Sequence, residues 1–151
     1  MRTIGLRANP RGLVFAIYCG DTSSFLNVEK INIPASFEKP DGLKFLRNNL
    51  LDVLNEFEVQ RAGIRLAEPT ARKPSFARIQ IEGVVQEAFA SSDLVSYFVG
   101  PIATIERLLG IDRGGFKPMI AGTNTLEIEN WENMSADNRE AMLAAMGALN
   151  A

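Results

Sequence analysis

Residues 13–20, LVFAIYCG, form an uncharged run of β-branched, aromatic and small apolar residues. The run follows a turn-forming NPRG (9–12) and an apolar-rich, β-compatible TIGLRA (3–8). Two such runs around a Pro/Gly turn read as a β-hairpin. VEKINIP (28–34) alternates Val28, Ile31 and Ile33 imperfectly and predicts a third, shorter strand. The chain is therefore expected to begin as an antiparallel meander.

Helices and strands alternate after that. Leu43, Leu46, Leu50, Val53, Leu54 and Phe57 recur at helical spacing and predict a helix over 41–58. AGIRLAEP reads as a buried strand stopped by Pro69. Ser75 opens a helix through Ala90 that carries Ile79, Val84, Val85, Ala88 and Phe89, and LVSYFVG (94–100) is again strand-like. Pro101 starts, and Gly110 closes, a helix over IATIERLLG. Residues 110–134 read as loop, and a last helix runs from Ser135 to Leu149. A meander followed by alternating elements implies an α/β fold, a mixed sheet with helices on both faces. In such sheets, carboxylates at strand C-terminal ends face the crevice where ligands bind.

With 151 residues, the chain is expected to form a single domain, 1–151, with a core that needs no staples. There is no histidine, which excludes Ser-His-Asp, Cys-His and His-ligated zinc chemistry. One cysteine, Cys19, excludes an internal disulfide and a thiolate zinc site. Acid–base or metal work must then rest on carboxylates, lysine, tyrosine or water, and carboxylates suit Mg²⁺ or Mn²⁺. The net charge of −2 gives no global pull toward nucleic acid. With that lone cysteine a reducing, cytoplasmic setting is the expectation; no apolar run is long enough to cross a membrane, and MRTIGLRANP shows no hydrophobic signal core.

Three acids stand out. Glu68, in RLAEPT, caps a predicted strand just before a proline. Asp137 and Glu140 stand one turn apart at the head of the last helix, in SADNREAMLAAM. The plain alternatives are a loop-edge Glu68 paired with Arg65 or Arg72, and first-turn acids that complement the helix dipole behind an N-cap at Ser135.

The meander, the crossover helix, the strand ending in Glu68 and a terminal helix opened by an acid-x-x-acid pair resemble the RNase H-like fold. More narrowly they resemble its RuvC-type Holliday junction resolvase branch. ARIQIEGVVQEA, with Arg78, Glu82 and Gly83, is similar to the helix that follows the strand-four acid there, and Lys117 in FKPMI falls near that branch's lysine after the fifth strand. The resemblance implies a three-layer fold with a five-stranded mixed sheet and a homodimer. It further implies a divalent-metal-dependent nuclease in which Glu68, Asp137 and Glu140 hold Mg²⁺ or Mn²⁺. Carboxylates in such enzymes hold two ions about 4 Å apart across the scissile phosphate.

One position departs from that pattern. The branch ends its first strand Gly-hydrophobic-Asp, whereas this chain reads Gly5-Leu6-Arg7. A cation at the central ligand position predicts either an ion pair with Glu68 or Glu140 in place of metal, or an Arg7 turned away beside a single ion. Asp112, in GIDRGG, repeats the missing motif but reads as a turn residue. Arg72, Lys73 and Arg78, with Lys117, are the candidate phosphate contacts on DNA or RNA. Trp131 reads as an anchor over the last helix rather than a base-stacking surface, and Leu126 and Ile128 can serve a partner or the sheet edge. Two readings follow: a metal-dependent nucleic-acid phosphodiesterase, or a catalytically inactive binding or assembly protein on the same fold. A third is an unrelated α/β protein, in which Glu68 lies far from the last helix.

Overall fold

The computed structural model describes residues 1–151. Its elements are β1 (Arg2–Asn9), β2 (Gly12–Cys19), β3 (Ser24–Asn32), α1 (Lys39–Glu56), β4 (Arg61–Arg65), α2 (Phe76–Ala90), β5 (Ser96–Gly100), α3 (Ile102–Leu109), α4 (Phe116–Ile120), and α5 (Ala136–Ala148) after a 3-10 turn at Trp131–Asn133. The strands form one sheet in the order β3-β2-β1-β4-β5. β1, β2 and β3 pair antiparallel, and β4 and β5 join in parallel. The expected meander followed by parallel strands is the architecture observed.

Two apolar layers cover the sheet. Ile4, Leu6 and Ala8 of β1, with Leu13, Phe15 and Ile17 of β2, pack under α1 and α2. Val14, Ala16 and Tyr18 face the opposite way, onto α5, α3 and α4. That double coverage is why LVFAIYCG shows no polar alternation: both faces of β2 are buried. Gly5 admits the closest helix contact, because a Cβ there would lie 2.0 Å from the Ala141 carbonyl oxygen and 2.1 Å from the Ala145 amide nitrogen. The alanines of α5 seat that helix directly on β1.

Several boundaries differ from the sequence-based expectation. The third strand begins at Ser24, four residues early, because Phe25 and Asn27 pair with Tyr18 and Ile17 across a bulge. The fourth strand ends at Arg65, so Glu68 lies three residues beyond it, in the connecting loop. α2 buries Ile81, Glu82, Val85, Ala88 and Phe89, while Ile79 points outward. The 110–134 segment contains α4 and the 3-10 turn. Ser75 and Ser135 cap their helices as expected, accepting from Arg78 N at 3.2 Å and Asn138 N at 3.1 Å. No helix is long and apolar enough to cross a membrane.

Candidate functional site: an arginine–carboxylate crevice

β1 alternates its side chains, so Thr3, Gly5 and Arg7 face α5 while Ile4, Leu6 and Ala8 face the other core. β4 runs parallel to β1 in a register that sets Gly63 beside Gly5 and Arg65 beside Arg7. Gly5-Leu6-Arg7 and Gly63-Ile64-Arg65 are therefore one pattern used twice. It brings two guanidinium groups to the ends of the two central parallel strands.

Side-by-side cations in a buried place need carboxylates, and three elements supply them. Arg7 Nε donates to Glu140 Oε2 of α5 at 2.6 Å. The other oxygen of that carboxylate lies 3.8 Å from Arg65 Nε, so Glu140 bridges the two arginines. Arg7 Nη1 also donates to the Arg65 carbonyl at 3.2 Å and lies 3.7 Å from Glu82 Oε2 of α2. Glu82 in turn accepts from Ala67 N at 2.9 Å. Glu68 Oε1 accepts from Ile102 N, at the start of α3, at 2.9 Å and lies 3.6 Å from Arg65 Nη2. Arg7, Arg65, Glu82 and Glu140 keep between 6% and 13% of their side-chain surface exposed. Burial first, then the Arg7 charge, pulls Arg65 below the ordinary arginine range; Glu140 and Glu68 oppose that shift, and Arg78 adds to it.

Glu68 and Glu140 thus meet at one guanidinium, and the reading that kept Glu68 far from the last helix is removed. Arg7 takes the ion-pair alternative, with Glu140 as its partner. Asp137, one turn earlier on α5, forms no ion pair. Arg72 and Lys73 are exposed on the loop between β4 and α2, Arg78 is half-buried in the first turn of α2, and Lys117 is exposed on α4. None of those four cations is paired with an acid. Trp131 is fully buried and donates to the Met119 carbonyl at 3.1 Å, which leaves no face for a base.

Sequence reasoning placed Arg65 beside Glu68, as observed, but missed its place next to Arg7 and Glu140 and missed Glu82 as a member of this network. Both left a signal. Arg65 repeats the Gly-hydrophobic-Arg pattern of β1, and Glu82 shares a helix face with Val85 and Phe89, where an acid needs a partner.

The expected Mg²⁺ or Mn²⁺ site does not fit these residues. Each of the three glutamates faces a guanidinium or holds a backbone N–H, and two arginines stand among them. No group of three or more His, Cys, Asp or Glu residues is placed to hold a metal ion. Arginine stays protonated and cannot serve as a general base. Chemically the arrangement is a clamp that ties α2, the start of α3 and α5 to the end of the central strands.

No protein-family model matches the chain, and no curated protein matches its sequence. Solved structures do match its fold. Thermus thermophilus RuvC in complex with Holliday junction substrate superposes with a TM-score of 0.72 at 13% identity, over 97% of this chain and 92% of that one. A second structure of T. thermophilus RuvC gives 0.69 at 14% identity, with the same coverage of 97% and 92%. The fowlpox virus Holliday junction resolvase gives 0.51 at 9% identity, covering 98% and 94%. The fold is RNase H-like, of the RuvC type.

Proposed function

We propose that this chain is a non-cleaving RuvC-fold protein that binds nucleic acid, DNA or RNA, as a cytoplasmic homodimer. The observation that carries the proposal is the Arg7–Glu140 pair at 2.6 Å with Arg65 alongside. Protein-borne cations stand where the resemblance puts metal ions, so the carboxylates organise the crevice without activating water. Nucleic-acid binding is supported by the unpaired, exposed Arg72 and Lys73 on the loop that carries Glu68, by Arg78 at the start of α2 and by Lys117 on α4, residues suited to phosphate contacts. The T. thermophilus RuvC neighbour was solved with a Holliday junction substrate. A homodimer is supported by the exposed Phe76 and Ile79 of α2.

The metal-dependent phosphodiesterase reading is favoured by one fact, the convergence of Glu68 and Glu140 on one point. A gel-shift and cleavage assay on a four-way DNA junction and on duplex RNA, with Mg²⁺ or Mn²⁺, separates the two. The expected result is a retarded complex without cleavage products, weakened by Arg72→Ala/Lys73→Ala with a salt slope shallower by about two. Cleavage abolished by Glu68→Gln would establish the phosphodiesterase reading. Absence of any complex would remove the nucleic-acid role.

A further inference from the structure

A broad concavity lies away from the arginine–carboxylate crevice; none of Arg7, Arg65, Glu68, Glu82 or Glu140 borders it. It is a furrow of about 1110 Å³ on the α5 side of the sheet, between β3 and the 126–134 segment. Phe25 and Val28 of β3, Met142 and Met146 of α5, and Leu126 and Ile128 form its apolar lining. With Met134, three of the five methionines in the chain face this one place. Methionine is flexible and polarisable, and suits surfaces that mould to varied apolar side chains.

The border is charged with one sign. Glu127, Glu129 and Glu132 stand on it, and no lysine or arginine does. β3 has no strand on its outer side, so its backbone N–H and C=O groups there are open. Proteins guard such edges with charge, and β3 carries Glu29 and Lys30 in its second half. The unguarded half, Ser24–Val28, is the half that lines the furrow. Ser23, Glu127 and Asn130, three of the four non-glycine residues with left-handed backbone, stand on the same border. Such conformations cost free energy, least for asparagine, and persist where the surroundings hold them.

We infer that the furrow takes an extended segment of a partner protein, one that alternates apolar side chains and is flanked by lysine or arginine. The segment pairs as a sixth strand with Ser24–Val28, sets its apolar side chains among the methionines, and turns its cations to Glu127, Glu129 and Glu132. Three carboxylates without a cation repel nucleic acid from this face. A neutral apolar molecule would leave both the acids and the strand edge unused.

The test uses the full chain and fluorescein-labelled peptides that alternate leucine or valine with serine between pairs of lysines. Controls have glutamate in place of the lysines, or N-methyl groups on alternate amides. Fluorescence anisotropy is expected to show the lysine peptides binding at least tenfold more tightly than the glutamate set. N-methylation and the triple variant Glu127→Gln/Glu129→Gln/Glu132→Gln each weaken binding at least tenfold, the variant's fold being checked by circular dichroism. No binding by any peptide, equal binding of the two charge sets, or binding untouched by the triple variant overturns the inference. Concentration-dependent self-association that excludes the lysine peptides also overturns it, by giving the furrow to a second copy of the chain.

Discussion

Replacing Arg7 by methionine keeps most of the side-chain volume and removes the charge that Glu140 faces. Three contacts are lost: the 2.6 Å bond to Glu140, the 3.2 Å bond to the Arg65 carbonyl and the 3.7 Å approach to Glu82. Breaking a buried ion pair from one side costs about 3–5 kcal/mol, because the surviving charge is left uncompensated. Here Arg65 stays 3.8 Å from Glu140 and Ala67 N still serves Glu82, so the lower end applies, about 3 kcal/mol. For a chain of this size that lowers Tm by about 6–12 °C. Glu140→Met removes the carboxylate that both Arg7 and Arg65 face, leaving Glu82 at 3.7 Å and Glu68 at 3.6 Å, and also costs about 3 kcal/mol. The double variant Arg7→Met/Glu140→Met buries two thioethers and leaves Arg65 facing Glu68 and Glu82 holding the Ala67 N–H. It is expected to cost at least about 1.5 kcal/mol less than the sum of the singles. Urea unfolding followed by circular dichroism measures all three. Additivity within about 0.5 kcal/mol would refute a direct Arg7–Glu140 interaction.

Gly5→Ala sets a methyl against the backbone of α5, 2.0 Å from the Ala141 carbonyl oxygen, and neither β1 nor the helix can yield alone. The expected loss is about 3 kcal/mol or more, read as a fall in Tm; a change below about 1 kcal/mol would contradict the direct seating of α5 on β1. On the surface, the Arg47 hydrogen bond and then the Ser91 hydrogen bond hold the Glu87 carboxyl below its ordinary range. A depressed carboxyl contributes stability that is full above its unfolded value and fades as pH falls through its folded one. The stability difference between wild type and Glu87→Gln should therefore be largest near neutrality and shrink in acid, as urea midpoints taken across that range will show. A difference that grows in acid would contradict the assignment.

The layers of this fold were legible because its sequence signals are local. An uncharged strand run beside a turn, helical spacing from Leu43 to Phe57, and serine caps at Ser75 and Ser135 each act within a few residues. The start of β3 was not legible, because a bulge opposite Ile17 and Tyr18 sets it. Nor was the outward turn of Ile79, which depends on which face of α2 meets the sheet. Glu68 and Glu140 stood out locally, at a predicted strand end and at a helix head; the fold resemblance supplied the expectation that they share one site. Arg65 was legible as a partner of Glu68, but not as a neighbour of Arg7 and Glu140, because that comes from strand register: only when β4 lies parallel to β1 does the second Gly-hydrophobic-Arg fall beside the first. Glu82 escaped for a similar reason, since an acid on an apolar helix face declares itself only when its partner across the sheet is known.

On the proposed reading, guanidinium groups occupy the place of metal ions in this crevice. Calorimetric titration of Mn²⁺ into the low-millimolar range, on wild type and on Arg7→Asp/Arg65→Ala, tests it most directly. Wild type is predicted to give no binding heat, and the double variant to bind Mn²⁺ in a manner abolished by adding Glu140→Gln. Mn²⁺ binding by wild type that Glu68→Gln removes would contradict the claim and return the carboxylates to a metal site.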